Sequence, residues 1–195
     1  MRALPIKEAF HFVSLLLNRQ GVAGKELAND MLKSPYSFDF LTIQEKYTEK
    51  ELKDALIDNI QKFLRELGTG FAYMGREYRL QVGQTEQFLD MLFYNTKIHA
   101  YVVIEVKTTE FKPEFVGQLG TYVVAVDHLL RTDRDEKTVG ILICKDKDDV
   151  LARYALDSSS QALGVSSFEL SKLIPENFKS SLPSIEEIEE ELKRK

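Results

Sequence analysis

Residues 98–108 read IHAYVVIEVKT, an apolar and β-branched run with the composition of a buried strand. Side chains alternate between the two faces of a strand, so Glu105 and Lys107 point to the same side. They lie near the end of a run whose other members are mostly apolar. Because a charged side chain loses hydration energy at such a place, the pair requires either partners or a function.

A third charged residue, Asp90, lies within the preceding apolar run, EQFLDMLFY at 86–94. The polar stretch Asn95-Thr96-Lys97 separates the two runs and predicts a hairpin turn. Antiparallel pairing across that turn is expected to bring Asp90 beside Glu105.

Two neighbouring carboxylates repel each other, which raises the pKa of one of them unless a divalent cation neutralises the pair. Oxygen ligands without a cysteine or histidine cluster suit Mg²⁺ or Mn²⁺. The alternative is a surface ion pair between Glu105 and Lys107 at a frayed strand end, which would stabilise the fold little. Asp90 in the adjacent apolar run favours the metal site.

Upstream of these runs, Thr48-x-x-Glu51 forms a capping box that predicts the start of a helix, and Gly68 predicts its end. Its apolar stripe consists of Leu52, Leu56, Ile60, Phe63 and Leu67. Glu66 lies in the last turn, where the helix dipole disfavours an acid, so a cationic partner is expected. A solvated glutamate is the alternative.

Downstream, Pro113 fits the first turn of a helix running to about Arg131, on which Gln118 and Tyr122 are i,i+4 neighbours. A strand is expected at 76–82 and a short buried one at 139–144. Residues 34–39 predict a loop. The order over about residues 48–144 is therefore α-β-β-β-α-β.

Composition narrows the classes of protein further. The single cysteine, Cys144, excludes a disulfide framework and a zinc cluster. No leader peptide or membrane-length apolar stretch is evident, so a cytoplasmic location without membrane association is expected. The net charge of −5 argues mildly against a purely electrostatic nucleic-acid binder. The glutamate-rich tail at 185–195 supplies part of that charge.

Five blocks in order resemble the YhcG-type PDDEXK (restriction-endonuclease-like) nuclease family of bacteria. They are FLRELGTGFAYMGREYRL (63–80), FLDMLFYN (88–95), VVIEVK (102–107), EFVGQLGTYV (114–123) and VGILIC (139–144). The similarity runs from about Ser34 to Phe168. It implies an α/β fold with a restriction-endonuclease-like core (αβββαβ), a mixed central sheet flanked by helices.

The resemblance also implies roles for individual residues. Asp90 and Glu105 match the metal-binding carboxylates, and Lys107 matches the lysine that orients or activates the attacking water. Gln118 and Tyr122 resemble a Q-x-x-x-Y helix motif that holds substrate near the metal. On this basis Gln118 is expected to be a catalytic residue and Tyr122 a substrate-binding one.

Four further positions carry expectations about the site. Glu66 resembles a helix carboxylate that completes the metal site. Arg76, Arg79 and Lys112 are candidate phosphate contacts, with solvated surface charge as the alternative. The chain departs from the family at Thr108-Thr109, where relatives often carry an aliphatic residue and a glycine, and this change is not expected to abolish the chemistry.

The expected function is a nuclease that uses Mg²⁺ or Mn²⁺ to hydrolyse phosphodiester bonds, with DNA as substrate, in defence against foreign DNA or in DNA processing. The alternatives are a catalytically inactive nucleic-acid-binding or scaffold subunit with the same fold, and an oligomerisation module. The resemblance also suggests a homodimer, because many nucleases of the superfamily pair their sites to cut both strands.

The predicted organisation has three parts: an N-terminal helical segment at 1–33, the nuclease domain at 34–174, and a linker with a charged C-terminal helix at 175–195. The family usually carries a separate DNA-binding domain before the nuclease, and residues 1–30 are too short to be one. A missing N-terminal domain or partner protein is therefore expected to supply DNA targeting.

Overall fold

The computed structural model describes residues 28, 31–171, 173 and 174. Most of the helical segment predicted at 1–33, and all of the linker and helix predicted at 175–195, lie outside these residues, so the segment boundaries stay predictions. Within the described part of the chain, no helix is long and apolar enough to cross a membrane.

A six-stranded mixed sheet forms the centre of the domain. Its strands are β1 (Tyr36–Ser37), β3 (Phe71–Val82), β4 (Thr85–Asn95), β5 (Ala100–Glu110), β6 (Val139–Asp146) and β7 (Ala162–Glu169), in the spatial order β1-β7-β6-β5-β4-β3. Strands β3, β4 and β5 form an antiparallel meander, whereas β5, β6, β7 and β1 run parallel. Two short strands, β2 (Ile43–Gln44) and β8 (Leu173–Ile174), pair separately.

Four described helices flank the sheet: α1 (Glu49–Asp58), α2 (Ile60–Leu67), α3 (Pro113–Leu129) and α4 (Asp149–Asp157). The predicted order α-β-β-β-α-β is confirmed in outline. The capping box is present, because Thr48 N donates to Glu51 Oε2 at 2.7 Å and Glu51 N donates to Thr48 Oγ1 at 3.2 Å. The single predicted helix is instead divided at Asn59, whose side chain donates to the Ala55 carbonyl and so competes with the regular backbone pattern.

Alternation along β5 divides the core between the two faces of the sheet. Val102, Ile104 and Val106 pack in the cluster that contains the apolar residues of α1 and α2. Val103 packs in the other cluster, which contains those of α3. The sheet is thus covered by helices on both faces, which explains the near-continuous apolar character of its central strands.

The prediction of a loop at 34–39 was wrong in one respect, because Tyr36 and Ser37 form the edge strand β1, which runs parallel to β7. Phe38 continues the pairing, since its N–H donates to the Glu169 carbonyl at 2.8 Å. The Phe38 and Phe168 rings stack with their centroids 5.1 Å apart. Burial of these aromatic side chains outweighs the local turn signal of Ser34-Pro35.

Candidate active site

Strands β4 and β5 separate at Asp90 and Glu105. Antiparallel pairing between them ends at Met91 and Ile104, after which β4 continues along β3 and β5 continues along β6. The two carboxylates replace the lost backbone pairing: Asp90 N donates to Glu105 Oε1 and Val106 N donates to Asp90 Oδ2, each at 3.1 Å. The sheet itself therefore holds the two acidic side chains next to each other.

Lys107 lies one step further along the same face of β5. Its Nζ is 3.6 Å from Glu105 Oε2 and 3.3 Å from Glu49 Oε1. The same ammonium lies 5.7 Å from the centroid of the Phe115 ring on α3, a cation–π distance. Lys107 is thus enclosed by a strand and by one helix from each side of the sheet.

Helix α1 adds two residues that the sequence reasoning missed, Glu49 and Lys53. Lys53 Nζ lies 2.9 Å from Glu49 Oε1 and 2.6 Å from Asp90 Oδ1. A local signal existed, because the capping box places Glu49 in the first turn and a Glu–Lys pair at i,i+4 shares one helix face. That signal identifies the pair and does not reveal which strand it faces.

The electrostatics of this group are strongly coupled. Burial, followed by the charge of Asp90, raises the pKa of Glu105 to about 8. Burial alone would lower the pKa of Lys107, but Glu105, Glu49 and Asp90 outweigh it and raise that pKa. Burial also opposes ionisation of Glu49, yet hydrogen bonds and charges from Lys53 and Lys107 hold its pKa low. A buried acid perturbed in this way is typical of functional sites.

The donor chemistry fits a hard divalent cation. Glu49, Asp90 and Glu105 offer carboxylate oxygens, the ligands that Mg²⁺ and Mn²⁺ prefer. Among the described residues, no three acidic, histidine or cysteine side chains converge tightly enough to form a metal cluster. The ammonium groups of Lys53 and Lys107 contact these carboxylates instead.

Gln118 and Tyr122 lie on α3, the helix that also supplies Phe115. Gln118 Nε2 donates to the Tyr122 hydroxyl at 2.8 Å. Tyr122 is buried and Gln118 is exposed. Since Phe115 lies against the Lys107 ammonium, the first half of α3 is beside the acidic group, and Gln118 follows one turn later.

The structure does not bring Glu66 into this group. Its Oε1 accepts from Ser37 N at 2.9 Å, and its Oε2 lies 3.2 Å from Lys33 Nζ. The expected cationic partner is therefore Lys33. Ser37 belongs to β1, which is three strand positions from β5 in the sheet, a lateral separation of roughly 14 Å. The geometry thus favours Glu49 over Glu66 as the third carboxylate.

The three candidate phosphate contacts lie on the surface. Arg76 Nη1 is 2.8 Å from Asp54 Oδ1, and Arg79 pairs with Glu86 across the β3–β4 hairpin. Lys112 is exposed at the N-cap of α3. Their roles in substrate binding stay predictions.

Glu105→Gln should remove a pH-dependent part of the stability. Because folding raises the Glu105 pKa from its ordinary 4.5 to about 8, the folded protein binds this proton more tightly than the unfolded chain does. The associated stabilisation is complete below the unfolded pKa and is lost as the pH rises through about 8. The free energy of unfolding of the wild type should fall by on the order of a few kcal/mol more than that of the variant between about pH 5 and pH 9.

Urea unfolding at several pH values in a chelator would measure this difference. Glu110→Gln is the matched control, since Glu110 is exposed on the same strand. Equal pH slopes for the wild type and Glu105→Gln would contradict the raised pKa.

The helices and strands follow the order αβββαβ around a mixed sheet, and two carboxylates and a lysine lie where two strands separate. Together these features define a restriction-endonuclease-like nuclease domain. The chain belongs to the YhcG PDDEXK nuclease domain family, whose model matches residues 29–183. This membership confirms the fold that the sequence blocks predicted.

A curated protein of Escherichia coli (strain K12), named "Putative nuclease YhcG", is 28% identical over 131 residues. The match covers 67% of this chain and 35% of that protein, so the chain spans about a third of the relative's length.

Solved structures of endonucleases resemble the domain more distantly. A repair endonuclease from Pyrococcus abyssi has a TM-score of 0.42 and 17% identity, with 65% of this chain and 48% of that chain covered. The EndoMS-dsDNA2 complex has a TM-score of 0.45 and 20% identity, with 64% and 47% covered.

Proposed function

We propose that this domain hydrolyses phosphodiester bonds in DNA with Mg²⁺ or Mn²⁺ as cofactor. The observation that carries the proposal is the convergence of Asp90, Glu105 and Lys107 at the point where β4 and β5 separate. Family membership supports the nuclease class. DNA as the substrate, and a role in defence against foreign DNA or in DNA processing, rest on the resemblance of the five sequence blocks.

A bound divalent ion would acidify a water molecule and stabilise the negative charge that develops on the phosphate. Asp90 and Glu105 would hold it, with Glu49 as the third carboxylate. The neighbouring acids raise the pKa of Lys107. Its ammonium would donate a hydrogen bond that positions the attacking water or a phosphate oxygen.

Targeting to DNA is proposed to come from a further domain or a partner protein. The curated relative is about three times as long as the matched region, and the chain has a net charge of −5, which disfavours binding to phosphates by charge alone. A homodimer would pair two sites and could cut both strands of a duplex in one binding event, so it is the proposed active form on double-stranded DNA.

The direct test is incubation with supercoiled plasmid, single-stranded DNA and RNA in Mg²⁺ or Mn²⁺, with a chelator as the metal-free control. Nicked or linear plasmid that appears only with metal would support the proposal. Preferential cutting of RNA would correct the substrate. Mn²⁺ binding in calorimetry without cleavage of any substrate would mean that cleavage requires the targeting domain or partner. Neither metal binding nor cleavage would favour the non-catalytic alternative.

A further inference from the structure

Lys53 joins two of the three carboxylates in the site. Its Nζ lies 2.6 Å from Asp90 Oδ1 and 2.9 Å from Glu49 Oε1, with 24% of the Lys53 side chain and 14% of the Asp90 side chain exposed. A divalent cation held by Asp90 and Glu49 would meet the ammonium at these carboxylates. The ammonium supplies positive charge where such a cation would otherwise supply it.

The position of Lys53 is set by a well-anchored helix. Its neighbour Leu52 and Leu56 one turn later are fully buried in the core. The capping box at Thr48 fixes the first turn, from which Glu49 faces Lys53 at i,i+4. The long, flexible lysine side chain can nevertheless move its ammonium toward solvent without displacing the helix.

We propose that Lys53 is a tethered cation that competes with the divalent metal for Asp90 and Glu49 and thereby sets the metal affinity of the site. The inference rests on the proposed metal-dependent function. Without metal, Lys53 screens the repulsion between the two carboxylates. When a divalent ion binds, the ammonium must leave Asp90, because two cations a few ångströms apart in a half-buried site repel each other strongly.

Lys107 does not have the same position. Its Nζ is 3.3 Å from Glu49 Oε1 and 3.6 Å from Glu105 Oε2, longer distances than those of Lys53. It also rests against the Phe115 ring, so one side of its ammonium is covered by an aromatic face. Lys107 therefore has a partner besides the carboxylates, whereas the Lys53 ammonium lies against two carboxylates that would hold the metal.

The test compares Lys53→Met with Lys50→Met by calorimetric titration with Mn²⁺ and with Ca²⁺. Lys50 is exposed on the same helix, so its replacement removes the same charge without touching the carboxylates. Lys53→Met should bind metal about tenfold more tightly or better, and Lys50→Met should stay within about twofold of the wild type. In a chelator, Lys53→Met should melt at a lower temperature than the wild type, and Mn²⁺ should raise its Tm by more.

Unchanged or weaker metal binding by folded Lys53→Met would overturn the inference while leaving the proposed function intact. Equal tightening in Lys50→Met would also overturn it, since a general change of surface charge would then explain the effect. If the wild type and all variants bind no metal, both the proposed function and this inference fail. If Lys53→Met does not fold, Lys53→Gln takes its place in the test, because glutamine keeps a polar side chain without the positive charge.

Discussion

Glu105→Gln and Lys107→Met should each lower metal-dependent cleavage by at least about a hundredfold, for different reasons. Glu105→Gln keeps an oxygen that can accept from Asp90 N and removes the charge that would bind the metal, so Mn²⁺ affinity should fall with the rate. Lys107→Met keeps the packing of the stem near Phe115 and removes the donor, so the rate should fall while Mn²⁺ still binds. Single-turnover cleavage and calorimetry on the same samples would separate the two effects.

Two variants control for the loss of charge alone. Glu110→Gln changes an exposed carboxylate on β5, and Lys97→Met changes an exposed ammonium in the turn between β4 and β5. Both should retain cleavage within about twofold of the wild type. Full activity in either Glu105→Gln or Lys107→Met, with the fold intact, would place the chemistry elsewhere on the domain.

The placement of Asp90 beside Glu105 was predictable because it depends only on local rules. Strand alternation decides which side chains share a face, and a short polar break between two apolar runs decides the register of a hairpin. The separation of β4 from β5 at these residues was not predictable. At that point the side chains of Glu105 and Asp90 accept the backbone N–H groups of Asp90 and Val106, and strand alternation does not reveal such a contact.

Glu49 and Lys53 were missed for a related reason. The spacing along a helix shows that they share a face, but the angle at which α1 packs on the sheet decides what that face meets. Glu66 is the converse case. Its apolar neighbours mark α2 as packed on the core, but its partners Lys33 and Ser37 lie near the far edge of the sheet, and the sequence does not show this. Local periodicity gives the buried side of an element and not its lateral position.

Phe93→Ala should destabilise the fold by about 3–5 kcal/mol, the usual range for loss of a fully buried aromatic side chain. Phe93 is fully buried on β4, three residues from Asp90. Its ring lies 6.0 Å from that of Phe63, 6.1 Å from that of Phe71 and 5.5 Å from that of Tyr73, between centroids. The substitution therefore leaves a cavity where α2, β3 and β4 meet. Urea unfolding should show a lower midpoint with an unchanged slope.

Phe88→Ala is the matched control, since Phe88 lies on the same strand with 51% of its surface exposed. It loses the same atoms from a position where little is buried, so its stability should stay within about 0.5 kcal/mol of the wild type. A small effect of Phe93→Ala would mean that the aromatic cluster relaxes to fill the cavity.

Because β4 carries Asp90, Phe93→Ala should also weaken Mn²⁺ binding at temperatures near its own melting point, whereas Phe88→Ala should not. Loss of metal affinity in Phe88→Ala alone would contradict this link between the core and the site.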